Sequence, residues 1–297
     1  MFKHHIFYNP IAGSGSRLDE IRALAARQDG ATLYDITKTD SLRRICENLD
    51  TSDKLTICGG DGTLNRFLND TRGVDFPCDV YYYPSGTGND FMREYAEREG
   101  CSCDTEQIRA VKINAYIKDL PTTTVFSDDG ERDFCFINGV GFGVDGYCCE
   151  TGDAMRAAGA EKINYTSIAV KGLLFHYKPT GATVTVDGKS YRFEKVWIAP
   201  TMKGKYYGGG IMPTPDQDRF DGELSVLVFH GTGRLKTLML FPKLFKGEHV
   251  SCEKYITILK GKEVTVEYDS PRPLQVDGET VKNVISYKAS AKCAVKA

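Results

Sequence analysis

The sequence lacks the marks of several large protein classes. Its formal net charge is −2, from 38 Lys and Arg against 40 Asp and Glu, and no basic run breaks that balance. That excludes the electrostatic footprint of a nucleic-acid binder. No apolar run approaches the ~18 residues that span a bilayer. Met1-Phe2-Lys3-His4-His5-Ile6 passes straight into a strand pattern, so the expectation is a chain without a signal peptide. The ten cysteines are scattered, and neither Cys101-Ser-Cys103 nor Cys148-Cys149 has the paired C-x₂-C spacing of a zinc site. Buried free thiols in a reducing cytoplasm are the expected state. There is no internal repeat and no low-complexity tract.

Glycine-rich turns are what the chain does have. Leu55-Thr56-Ile57-Cys58 reads as a buried strand, Gly59-Gly60-Asp61-Gly62 as a sharp turn, and Thr63 onward as a helix. Three glycines in four residues free the backbone for positive φ and let another object lie against its N–H groups. A helix N-terminus reached through glycines holds anions with free amides and the helix dipole. A carboxylate there repels bare phosphate, so Asp61 suits Mg²⁺ or a nucleophile's proton. Asn9-Pro10-Ile11-Ala12-Gly13-Ser14-Gly15 follows the strand Ile6–Tyr8 in the same way, and Pro84-Ser85-Gly86-Thr87-Gly88-Asn89-Asp90-Phe91 follows Val80–Tyr83. In a parallel sheet such turns fall together at the carboxyl ends of the strands, where open α/β sheets bind ligands.

From 1 to about 120 strand and helix alternate: helix Arg17–Arg27, strand Ala31–Ile36, helix Leu42–Leu49, then the strands and helices around the glycine turns. This predicts a parallel sheet covered by helices. Beyond Val111 the pattern becomes short strands: Val111–Ile117, Thr123–Phe126, Phe134–Gly139, Thr183–Val186, Tyr191–Ala199, Glu223–Phe229, Tyr255–Lys260, Glu263–Tyr268 and Val284–Lys288. Helices are expected at Thr151–Gly159 and Asn164–Leu174, and a hairpin turn at Asp187-Gly188. The fold class is therefore an N-terminal parallel-sheet α/β domain, 1–120, followed by a C-terminal antiparallel β-sandwich or barrel, 121–297. Whether the segment from about Tyr287 returns to the first domain is open.

Two acidic stretches mark the second half. Asp216-Gln-Asp-Arg-Phe-Asp-Gly-Glu223 is either a solvated turn or an oxygen-ligand site for a hard cation. Asp277-Gly278-Glu279 either sets two carboxylates on one face of an extended segment or forms a hairpin tip. The Lys-dotted apolar run Leu235–Lys246 suits an interfacial helix, or equally a packed helix with snorkelling lysines.

In Asn9-Pro10-x-x-Gly13, Gly59-Gly60-Asp61-Gly62-Thr63-Leu64-Asn65, Pro84–Phe91 and Asp277-Gly278-Glu279, with their order and spacing, the chain resembles the diacylglycerol kinase catalytic-domain family. The resemblance implies a nucleotide domain followed by a β-sandwich, and an ATP- and Mg²⁺-dependent phosphotransferase acting on a lipid hydroxyl, with diacylglycerol as the default acceptor. It places nucleotide contacts on Asn9, Pro10, Gly13, Thr37, Gly59, Gly60, Asp61, Gly62, Thr63, Asn65, Gly86 and Thr87. It makes Glu279 the proton acceptor, with Asp277 beside it and Asp61 and Asp90 in a Mg²⁺–water network. It also implies a structural Mg²⁺ on Asp218, Asp221 and Glu223, the last through its carbonyl; the family has Ser where this chain has Asp218, which leaves a backbone ligand there. The expected partners are ATP and a lipid alcohol at a membrane surface, without nucleic acid and with a homodimer left open. The expected location is cytoplasmic with peripheral membrane association. An NAD kinase-like small-molecule kinase shares the Gly-Gly-Asp-Gly-Thr turn and is the first rival. A catalytically silent nucleotide- or lipid-binding regulator is the second.

Overall fold

The computed structural model describes residues 3–15, 17–28, 30–39, 41–86, 89–98, 110–160 and 162–292, without the side chains of 14 and 15. The chain divides into two compact units, one built from Met1–Leu120 and one from Pro121–Ala294.

The first unit runs β1 (His4–Tyr8), α1 (Leu18–Ala26), β2 (Ala31–Asp35), α2 (Leu42–Glu47), β3 (Lys54–Gly59), α3 (Asp61–Asp70), β4 (Asp79–Pro84), α4 (Asp90–Arg98), β5 (Val111–Lys112) and α5 (Asn114–Lys118). Its sheet has the order β2-β1-β3-β4-β5, parallel except for the last pair. Ile6, Phe7, Leu55, Ile57, Val80 and Tyr82 are sealed in the sheet, and Phe67 of α3 packs on Phe7. Each such apolar side chain contributes about 1.5–3 kcal/mol by leaving water. The strand expected over Val111–Ile117 stops after two residues. Asn114 takes over the edge of β4, accepting from Val80 N at 2.8 Å and donating to Cys78 O at 2.9 Å, and a helix starts there instead.

The second unit runs β6 (Thr122–Ser127), β7 (Gly130–Cys135), β8 (Gly139–Gly143), α6 (Val144–Ala157), α7 (Tyr165–Lys171), β9 (Thr180–Val186), β10 (Lys189–Val196), β11 (Ile198–Met202), β12 (Leu224–Phe229), α8 (Arg234–Leu240), β13 (Ile256–Gly261), β14 (Glu263–Val276) and β15 (Glu279–Ser290). Every strand pair in it is antiparallel, in the order β13-β12-β11-β8-β14-β15-β6-β7 with β9 and β10 branching from β14. β14 does double duty: its first half pairs with β9 and its second with β8, across a register irregularity. The core between is Val-rich and carries Phe142 stacked on Tyr268 at 4.4 Å. Tyr287 pairs with Val125 and Val266, so the segment from 287 to 290 stays in this sheet; residues 293–297 lie outside the described residues.

Two expected strands are each broken in two. Phe134–Gly139 is interrupted at 136–138, where the backbone amides turn to a side chain described below. Tyr191–Ala199 is interrupted at Trp197, just after a bulge in β10 where Lys195 takes φ 53° and Gly231 N bonds the carbonyls of Glu194 and Lys195. The seven described cysteines are free, five of them buried, and burial pushes the Cys58 thiol up to about 12. Among the described residues no helix is long and apolar enough to cross a membrane.

Candidate active site

In the sheet of the first unit, β1 connects outward to β2 on one side while β3 and β4 lie on the other. The switch point is therefore between β1 and β3, and the loops that leave their carboxyl ends face one another there. Asn9 ties them together. Its backbone N–H bonds Cys58 O at 3.1 Å, its Oδ1 accepts from Ile11 N at 3.1 Å, and its Nδ2 donates to Thr63 Oγ1 at 3.0 Å. Gly13, with φ 58°, turns the loop toward α1.

The Gly59–Gly62 segment is not the positive-φ turn expected from its composition. None of its glycines has positive φ; β3 runs through Gly59, Gly60 caps, and α3 begins at Asp61. Two of the three are glycines because neighbours press close. A Cβ on Gly59 would strike the Thr63 side chain, and one on Gly60 would lie 3.1 Å from Gly86 Cα. The β3 and β4 loops thus touch glycine to glycine. Ser85 N bonds Gly59 O at 2.8 Å, and buried Tyr82 donates to the same carbonyl at 3.0 Å. Tyr82 is the floor under both loops. Burial holds its phenol well above the ordinary range, with the nearby Asp61 charge adding to the effect.

Asp61 and Asp90 open α3 and α4, and the structure brings them together: Asp61 Oδ2 accepts from Asp90 N at 2.7 Å. Acceptors at a helix N-terminus are favoured by its exposed N–H groups and dipole. Asn89, at φ 33°, bends the chain into α4 and its Nδ2 donates to Gly86 O at 2.7 Å. Thr37 is exposed at the end of β2, its hydroxyl donating to Asp35 Oδ1 at 2.6 Å. Asn65 is buried one turn inside α3, where its side chain accepts from Asn69 Nδ2 at 3.1 Å. Thr87 lies outside the described residues.

In the second unit, Asp277-Gly278 is a hairpin tip with φ of 47° and 93°, joining β14 to β15. The Asp277 carboxylate accepts from Ile137 N at 2.5 Å and from Asn138 N and Gly139 N at 2.9 Å each. This engagement breaks the strand at 136–138 and fixes the chain leading into β8. Glu279 opens β15 opposite Val276, is exposed, and its side chain makes no hydrogen bond among the described residues. Its neighbour Thr280 donates to Asp153 Oδ2 of α6 at 2.7 Å, which anchors the strand end that carries it.

Residues 3–116 match the diacylglycerol kinase catalytic domain, and residues 138–291 match the YegS C-terminal NAD kinase beta sandwich-like domain. The chain belongs to this family. It is similar to a diacylglycerol kinase of Mycobacterium tuberculosis, with 26% identity over 267 residues, 87% of this chain and 83% of that one. A solved diacylglycerol kinase structure from Bacillus anthracis aligns with TM-score 0.60 at 20% identity, covering 97% of this chain and 93% of its own, and shows the common fold. The chain is accordingly a phosphotransferase with an alcohol acceptor.

Two residues of this phosphotransferase escaped the sequence reading. Tyr82 could have been found from the inward alternation of Tyr81-Tyr82-Tyr83. Asp145, at the start of α6, had no local signal. Its Oδ1 accepts from Gly146 N at 3.0 Å, while Oδ2 is buried beside Gly141, where an added Cβ would lie 2.9 Å away. Burial pushes its carboxyl up to about 7, against the opposing pull of the Gly146 amide and the Gln275 side chain.

Proposed function

We propose that this phosphotransferase moves the γ-phosphoryl of ATP to the hydroxyl of a lipid, with diacylglycerol as the acceptor. The observation that carries the nucleotide side is the convergence of the β1, β3 and β4 loops at the switch point, with the N-termini of α3 and α4 offering amides to phosphates. Mg²⁺ held by phosphates needs only one or two carboxylates, and the paired Asp61 and Asp90 suit it; bound there, the ion would neutralise charge on the transferring group. Gly60, Gly62 and Gly86 supply close backbone approach, Asn9 and Thr63 hold the loops in register, and Tyr82 excludes water from beneath. On the acceptor side Glu279 is the unengaged carboxylate, and it serves as the base for the lipid hydroxyl. A positioned general base contributes typically ~10²–10⁴-fold.

A lipid surface supplies the acceptor. Leu235 and Met239 lie one turn apart on α8 and are 73% and 64% exposed, and Phe175, in the turn after α7, is 70% exposed. The two segments adjoin, since Arg234 Nη1 donates to Leu173 O at 2.7 Å. Exposed Lys171, Lys178, Lys236 and Lys246 flank them, a charge arrangement complementary to anionic headgroups. Leu240, Phe241 and Leu244 of the same run pack inward, which leaves the exposed face for the lipid surface.

The test is phosphate transfer from radiolabelled ATP with Mg²⁺ to diacylglycerol, monoacylglycerol, sphingosine, ceramide and a polyprenol in mixed micelles, with NAD alongside. Transfer to diacylglycerol, lost in Asp61→Ala and Glu279→Gln, supports the proposal. Transfer to NAD alone overturns the lipid acceptor, and no transfer with ATP still bound overturns the activity.

A further inference from the structure

The three oxygens that the family resemblance assigns to a structural Mg²⁺ are already bridged by a side chain. Gln217 is 1% exposed. Its amide nitrogen lies 3.0 Å from Asp218 O, 3.1 Å from Glu223 O and 3.4 Å from Asp221 Oδ1. Its orientation is fixed by chemistry, because two backbone carbonyls and a carboxylate can only accept, so the NH₂ end must face them. The carbonyl end accepts from Ser225 Oγ at 2.5 Å. Lys260 supplies positive charge to the same turn, its Nζ 2.6 Å from Asp221 Oδ2 and 3.7 Å from Glu223 Oε2.

These are hydrogen-bond lengths. Mg²⁺ requires oxygens at about 2.0–2.1 Å and Ca²⁺ at about 2.3–2.6 Å. A cation between the three oxygens would overlap the amide nitrogen, so the arrangement does not fit a bound metal while Gln217 occupies it. We infer that the Gln217 amide takes the place of the structural cation in this chain, closing the Asp218–Glu223 turn by hydrogen bonds and making it independent of divalent metal. The inference stands apart from the choice of acceptor. It removes the 217–223 turn from any divalent requirement.

Thermal unfolding of the full chain without nucleotide, in EDTA and in millimolar Mg²⁺ or Ca²⁺, tests it. The wild type is expected to melt at the same temperature in both, or to show a metal-dependent rise that Asp221→Asn retains in full. Gln217→Glu puts an oxygen against the three oxygens. It should melt about 4–8 °C lower in EDTA and recover in Mg²⁺ or Ca²⁺. A wild-type rise with metal that disappears in Asp221→Asn overturns the inference, as does a Gln217→Glu protein whose melting in EDTA matches wild type. If Gln217→Glu fails to fold, the wild-type and Asp221→Asn comparison decides alone.

Discussion

Gly62 has no internal reason to be glycine, and that makes it the sharpest probe of the nucleotide loops. Its φ is not positive, it sits at the second residue of α3, and an added Cβ would meet nothing within 4 Å among the described residues. If protein packing were the whole story, Gly62→Ala would only help. Glycine costs a helix roughly 0.5–1 kcal/mol relative to alanine. At this first-turn position the low end applies, a gain of about 1–2 °C in melting temperature. Phosphate binding predicts a different second effect. A methyl group at Gly62 would hold the phosphates off the α3 amides, and one lost hydrogen bond to a charged group removes about 1.5–3 kcal/mol. Since each 1.4 kcal/mol is tenfold, the ATP dissociation constant should rise about 10- to 100-fold. Calorimetric titration of ATP and a thermal melt on the same Gly62→Ala preparation read both quantities. A stabilised variant with wild-type ATP affinity would refute the phosphate cradle. Gly86→Ala is the counterpart. Its Cβ would collide with the Gly60 backbone, so overpacking should lower melting by about 2–10 °C along with affinity.

The remaining predictions follow from the second unit. Glu279→Gln should cut turnover by about 10²–10⁴-fold with the melting temperature and ATP affinity unchanged, and normal turnover would remove Glu279 from the reaction. Asp277→Asn should instead act on the fold, since hydrogen bonds to charged groups contribute about 1.5–3 kcal/mol each; urea midpoints should fall, and a variant of wild-type stability would contradict the three-amide geometry. Phe175→Asp combined with Leu235→Asp should abolish flotation with phosphatidylglycerol vesicles while phosphorylation of a water-soluble short-chain diacylglycerol persists. Retained flotation would place membrane contact elsewhere.

Much of the first unit was legible because its signals are local. A strand, a glycine turn and a helix start occupy about a dozen residues each, and β1, β3 and β4 with their helices stand where the pattern put them. What was not legible depends on residues distant in sequence. Asp277 claims amides 138 to 140 positions away, which breaks a strand that propensity would continue. Asn114 ends β5 through partners 34 and 36 positions back. Gln217 stands between two aspartates with no local signal to single it out. Its role needs the three-dimensional placement of Asp218 O and Glu223 O, which composition cannot supply.

The carboxylates are sorted by what already holds them, and Asp145 carries that logic into pH. Its folded pKa is raised from 3.8 to about 7, first by burial. The folded state therefore keeps a proton that the unfolded chain releases. Stability from that proton is complete below about pH 4 and is lost as pH rises through about 7. Three units correspond to about 4 kcal/mol at 1.36 kcal/mol each, and water reaching part of the residue brings the expected loss to about 2–4 kcal/mol. Asp145→Asn keeps the shape and cannot ionise. Relative to wild type it should therefore gain urea stability between pH 4.5 and pH 8 by that amount. A difference that does not change with pH would mean that Asp145 is already ionised in the fold, hydrated or paired despite the buried Oδ2.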